Sequence, residues 1–167
     1  MKQVLGFMML AFLTSAYIDR PSKAVHLSTL DELETRLSQG GDTIFVVNFW
    51  ATWCGPCVKE MPYFEQLVSD KSANLSPIKL LFVSLDSPKK PQVVEKFVAD
   101  KKIRNEVLIL NETDQQEYID RISEEWSGAI PATLLVQKSK NKRKFHEQEF
   151  TLEQLEQSLL AFQTQSQ

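Results

Sequence analysis

Val47-Asn48-Phe49-Trp50-Ala51-Thr52-Trp53-Cys54-Gly55-Pro56-Cys57 begins inside one secondary-structure element and ends inside another. Its left half belongs to Ile44-Phe45-Val46-Val47-Asn48-Phe49-Trp50, a short apolar run rich in β-branched and aromatic residues, which predicts a buried strand. Residues 51–55 break that run. A helix is expected from about Pro56 to Ser69, with Pro62 inside it predicting a kink. Cys54 therefore falls at the mouth of a helix, where backbone N–H groups lack intrahelical partners and the dipole favours an anion. Cys57 falls about one turn further in.

These are the only two cysteines of the chain. They are too few for a stapling framework or a four-ligand zinc site, and His26 and His146 show no ligand spacing to complete one. Two intervening residues let the sulfurs meet as a disulfide at the helix start. Because the thiolate is the reactive form of cysteine, a helix mouth should activate Cys54, while Cys57 should be more buried and less ionised. That pairing suits two-step exchange, in which Cys54 attacks a partner disulfide and Cys57 resolves the mixed disulfide. Pro56 stiffens the first turn and Gly55 keeps the approach open. Trp53 reads either as a docking surface that shields the sulfurs or as an ordinary rim residue, and Trp50 as core.

Working outward from this stretch, Thr29 and Glu32 form a capping box for a helix whose inner face is Leu30, Leu33 and Leu37, with Gly40 as its stop. Downstream, strands are expected at Lys79–Leu85, Val107–Leu110, Ala132–Gln137 and Lys144–Phe150, the last two as a hairpin. Pro91 opens one helix, residues 114–125 form a short acidic one, and Thr151 with Gln154 caps a last one bearing Leu152, Leu155, Leu159 and Leu160. Strands alternating with helices imply an α/β fold with a central mixed sheet covered on both faces. The basic cluster around Lys140–Lys144 fits a solvated hairpin turn better than a nucleic-acid patch.

The Val47–Cys57 stretch resembles the active-site signature of thioredoxin-like proteins, and most of all the TlpA-like branch of bacterial extracytoplasmic reductases, which includes cytochrome c maturation thioredoxins. Gly128-Ala129-Ile130-Pro131-Ala132-Thr133 resembles the cis-proline loop of that family. The resemblance implies a thioredoxin fold, a cis Pro131 packed beside the disulfide, and an Ile130 backbone that pairs with a bound substrate strand. The spacing of 74 positions from Cys57 to Pro131 leaves room for the extra strand-helix insertion of the TlpA-like branch, between the active-site helix and the cis-proline loop. Asn48 stands where thioredoxins themselves resemble one another in having a buried aspartate, and it cannot act as a base. Glu60 resembles a glutamate that some TlpA-like members keep near the disulfide. One helical turn from Cys57, it is a catalytic base or else a solvated surface residue.

The N-terminus sets the compartment. Lys2 precedes the apolar run Val4–Leu13, and small residues follow at Thr14, Ser15 and Ala16. This is the layout of an export signal cleaved after Ala16. The alternative is an uncleaved membrane anchor, although a spanning helix needs about 20 apolar residues. Residues 1–16 are thus assigned to export, 17–25 to a linker and 26–167 to one thioredoxin-like domain. A net charge of -3 argues against nucleic acid as a partner.

The expected activity is reduction of disulfides in other extracytoplasmic (periplasmic) proteins, with a membrane thiol reductant as electron donor and no organic cofactor or metal. The alternatives are a disulfide oxidase or isomerase, a peroxidase of the related peroxiredoxin group, and a non-catalytic adaptor.

Overall fold

The computed structural model describes residues 25–69 and 77–164. The export segment and residues 17–24 of the linker lie outside the described residues. Among the described residues no helix is long and apolar enough to cross a membrane.

The elements follow in the order β1 (His26–Ser28), α1 (Leu30–Ser38), β2 (Ile44–Trp50), α2 (Gly55–Ser69), β3 (Ile78–Ser84), α3 (Pro91–Lys101), β4 (Glu106–Leu110), α4 (Gln115–Ile122), β5 (Ala132–Gln137), β6 (Lys142–His146) and α5 (Leu152–Thr164). They build one six-stranded sheet in the order β1-β4-β3-β2-β5-β6. The pairs β1/β4, β4/β3 and β3/β2 are parallel, and β2/β5 and β5/β6 are antiparallel, so the sheet is mixed as expected. The units β3-α3 and β4-α4 both lie between α2 and Pro131, and β4 is slotted between β1 and β3.

Side chains alternate between the two faces of a strand. On β2, Ile44, Val46 and Trp50 join the helical layer of α2, α3 and α5, which contributes Phe64, Val94, Val98, Leu155, Leu159 and Phe162. Phe45, Val47 and Phe49 face the opposite layer, with Leu30, Leu33 and Leu37 of α1 and Tyr118, Ile119 and Ile122 of α4. All seven residues of β2 are buried, as its continuous apolar run requires. Asn48 is the polar interruption of the run, and its parity places it on the α2 side.

Several boundaries differ from the sequence reading. The strand placed at Lys144–Phe150 is Lys142–His146. A 3-10 turn at Lys138–Lys140, closed by Asn141 in the left-handed region at φ 47°, starts the pairing early. At the other end His146 pairs with Thr133, and just beyond it Pro131 has no N–H to extend the ladder. His26–Ser28, which carries no period of its own, is an edge strand beside β4. Of the leucines on α5, Leu160 is 55% exposed, whereas Leu155 and Leu159 are buried together with Phe162. α2 runs continuously through Pro62 to Ser69. The capping boxes at Thr29/Glu32 and Thr151/Gln154 both form.

Candidate functional site

The antiparallel pairing of β2 with β5 sets the site. Phe49 lies opposite Ala132, so the chain leaving β2 toward Cys54 passes the chain entering β5 from Pro131. The Ile130–Pro131 peptide is cis, as the resemblance implied. Cys54 Sγ lies 3.8 Å from the Ile130 carbonyl oxygen, although the residues are 76 apart in sequence.

Cys54 and Cys57 are joined as a disulfide, with Cα atoms 5.3 Å apart. Cys54 occupies the N-cap position of α2, and its carbonyl accepts the first helical bond, from Val58 N–H. Cys57 N–H points at Cys54 Sγ at 3.3 Å. That is the place where a capping oxygen accepts from the third helical residue. When the bond is reduced, the same N–H and the dipole of a 15-residue helix face a thiolate at Cys54. Cys57 is fully buried and Cys54 is 6% exposed, the order expected for a resolving and an attacking sulfur. Around this recess Trp53, at 71% exposed, Gly55 and Pro56 form an open lip. A Cβ added at Gly55 would meet no atom within 4 Å.

Glu60 is fully buried, which removes the reading of it as a solvated surface residue. One carboxylate oxygen accepts from Asn48 Nδ2 at 2.8 Å and the other from Phe150 N–H at 2.7 Å. Asn48 Nδ2 also reaches Thr133 Oγ1 at 3.3 Å, as the Asn48–Thr133 register dictates. Burial pushes the Glu60 carboxyl up from 4.5 to about 7; the two N–H donors oppose the shift and Glu149 adds to it. A carboxyl poised near neutrality on the helix of the buried cysteine is suited to accept and return a proton.

Two anchors were not read from the sequence. Asp86, just past the end of β3, is 7% exposed. Its carboxylate accepts from Thr52 N–H at 2.8 Å, Thr52 Oγ1 at 2.7 Å and Ser84 Oγ at 2.7 Å. It thereby pins the loop that delivers Cys54. The signal was there in Ser84-Leu85-Asp86, a polar pair closing an otherwise apolar parallel strand. The second anchor is Trp126. Its ring centroid lies 4.9 Å from that of Phe49, and its Nε1 donates to the Ala129 carbonyl at 2.8 Å and so holds the proline loop.

No arginine stands beside Cys54 in sequence, and Arg36, Arg121 and Arg143 are engaged with Glu106, with Asp31 and Glu34, and with the Ile122 carbonyl. The peroxide-polarising arginine of a peroxidase therefore has no candidate among these three.

Residues 18–144 match the AhpC/TSA family. A curated relative, thiol-disulfide oxidoreductase ResA of Geobacillus thermodenitrificans, is 30% identical over 135 residues, covering 80% of this chain and 71% of that protein. The crystal structure of StoA from Bacillus subtilis superposes with a TM-score of 0.54 at 26% identity, covering 71% of this chain and 84% of the other. That of a putative thiol:disulfide interchange protein DsbE from Chlorobium tepidum gives 0.58 at 25% identity, with 75% and 84% covered.

Proposed function

The chain belongs to the AhpC/TSA family and is a thioredoxin-fold thiol-disulfide oxidoreductase; from that premise we propose that it works outside the cytoplasm as a reductant of disulfides in other proteins. The observation that carries the exchange chemistry is the Cys57 N–H aimed at Cys54 Sγ at the start of α2.

In the reduced protein the Cys54 thiolate attacks one sulfur of a substrate disulfide. That S–S bond breaks, and the departing substrate sulfur leaves as a thiolate and takes up a proton. Cys57, losing its proton to Glu60, attacks Cys54 Sγ in the mixed disulfide. The second substrate sulfur leaves and is protonated in turn. Two electrons and two protons pass to the substrate, and the Cys54–Cys57 disulfide remains. A dithiol donor, on our reading a membrane thiol carrier, resets the pair by the same exchange. The Ile130 backbone beside Pro131 offers main-chain groups to an extended substrate segment, and Trp53, Gly55 and Pro56 form the surface it meets.

Extracytoplasmic placement is supported by the apolar Val4–Leu13 run behind Lys2 and by the likeness of the Val47–Cys57 stretch to the TlpA-like branch. Reduction rather than oxidation is supported by the Gly55-Pro56 dipeptide, which resembles that of reductants of this fold.

The deciding experiment is the reduction potential of the Cys54–Cys57 pair, measured by equilibration with a thiol redox buffer. The expected value lies near the thioredoxin range, about -270 mV. A value near about -120 mV would reverse the assignment, making the protein an oxidant of other chains.

A further inference from the structure

The segment Glu147–Phe150, which joins β6 to α5, touches both halves of the site. Glu147 Oε2 accepts from Ser127 N–H at 2.7 Å, and its Oε1 accepts from Ser127 Oγ at 2.6 Å. Ser127 opens the loop that ends at Pro131, and its Oγ in turn accepts from Ala129 N–H at 3.4 Å. At the other end of the segment, Phe150 N–H donates to Glu60 at 2.7 Å, and Glu149 pairs with Lys59 of α2 at 2.5 Å. The Phe150 ring is 2% exposed and packs edge-on against Phe64 of α2, with centroids 6.4 Å apart. One end of the strap is thus fixed in the core beside the cysteine-bearing helix, and the other grips the proline loop.

We propose that Glu147 is a positioning residue for the oxidoreductase reaction, clamping Ser127 so that the 127–130 backbone is already in place when a substrate segment docks beside Pro131. This rests on the reading of the proline loop as the substrate-binding loop.

The physical argument is one of preorganisation. A segment recognised through its main chain must be ordered either beforehand or at the expense of binding free energy. A carboxylate holding a backbone N–H and a hydroxyl on the same residue makes two charge-assisted bonds, which order that residue more firmly than neutral ones. Trp126 fixes the loop at Ala129 from the core side, and Glu147 fixes it at Ser127 from the rim. The hydrogen bonds of Glu147 are made to Ser127 and not to the cysteine pair. Its loss should therefore act on substrate binding and leave the chemistry of the cysteine pair alone.

The test uses the full chain and the variants Glu147→Ala and Glu147→Gln, reduced beforehand and freed of reductant. Each is mixed in single turnover with disulfide-bonded insulin, which offers a peptide backbone, or with hydroxyethyl disulfide, which does not. Glu147→Ala should raise the half-saturating insulin concentration about fivefold to tenfold, the effect of losing a partly exposed charged hydrogen-bond pair. Its rate with hydroxyethyl disulfide and its reduction potential should match the wild type. Glu147→Gln, which keeps one acceptor oxygen, should fall between.

Equal insulin half-saturation in all three proteins, or an equal slowing toward both disulfides, would overturn the proposal. Amide hydrogen exchange in the oxidised protein decides without turnover: the Ser127 and Ala129 amides should exchange about tenfold faster in Glu147→Ala while α2 is unchanged. Wild-type exchange rates in that variant would also overturn it. A wild-type protein that reduces neither disulfide would instead refute the proposed function, leaving the exchange measurement to judge the clamp.

Discussion

Glu60 sits between the Asn48 amide and the Phe150 backbone, and its burial raises its affinity for a proton, moving the carboxyl from 4.5 to about 7. The folded chain therefore binds this proton more tightly than the unfolded chain. The resulting stabilisation is fully present below the unfolded value of 4.5 and is lost as the pH rises through about 7. A shift of this size corresponds to about 3 kcal/mol. Glu60→Gln removes the titration. Asn48 Oδ1, buried with no partner among the described residues, can turn to receive the new amide. In urea denaturation Glu60→Gln should exceed the wild type at pH 8 by up to about 3 kcal/mol and converge with it near pH 4.5. The same variant should slow resolution of the mixed disulfide about 10²-fold, the usual effect of losing a general base. Parallel stability curves for the two proteins would show that Glu60 does not titrate in this way. At this scale the sequence made Cys54 and Cys57 legible, because a lone pair at a strand-helix junction has few other uses. It left Glu60 undecided, because spacing along a helix says which turn a residue occupies and not what packs over it. What packs over it is Phe150, 90 residues away.

The elements were readable where composition and period agreed. β2 and β5 appear at the expected residues because each is a continuous buried run between polar or turn-forming neighbours. β6 was displaced because its limits are set by its partner: where β5 meets Pro131 the ladder has no donor. Gly40 illustrates a right residue with a different reason. α1 ends at Ser38 with Gln39 as its cap, and Gly40 is needed because a Cβ there would fall against the Phe45 ring. The least visible element is the loop from Ala51 to Trp53, whose shape comes from Asp86, 34 residues beyond Thr52. Cys54 N–H bonds the Ala51 carbonyl at 3.1 Å, so the loop is fixed from within as well as by Asp86. Asp86→Ala strands the Thr52 N–H, the Thr52 hydroxyl and the Ser84 hydroxyl in a mostly dry site. Breaking hydrogen bonds to a buried charged group should cost about 2–3 kcal/mol, measured as a fall in the urea midpoint at constant slope. Asp86→Asn, which retains an acceptor, should lose less. An Asp86→Ala protein of wild-type stability would mean that the loop finds its shape without the carboxylate.

For the whole molecule the question is whether the disulfide staples the fold or only stores electrons. Two helical layers pack against the two faces of a sheet whose strands β2 and β5 are wholly buried, and both layers reach the sheet through large apolar side chains. The bridge closes a loop of sequence separation 3. On chain-entropy grounds so short a loop constrains the unfolded chain by only about 2 kcal/mol. That is well below the total stability of about 5–15 kcal/mol expected of a domain. Reduction should therefore leave the near-ultraviolet circular dichroism of the aromatic core unchanged and lower the unfolding free energy by no more than about 2 kcal/mol. The loss should shrink as the pH rises, because deprotonation of Cys54 lets the helix start stabilise the reduced form. The same balance sets the potential, since whatever stabilises the folded dithiol makes the pair more oxidising. A fold that collapses on reduction would make Cys54–Cys57 a structural bridge, and the exchange cycle would then have no folded reduced state from which to begin.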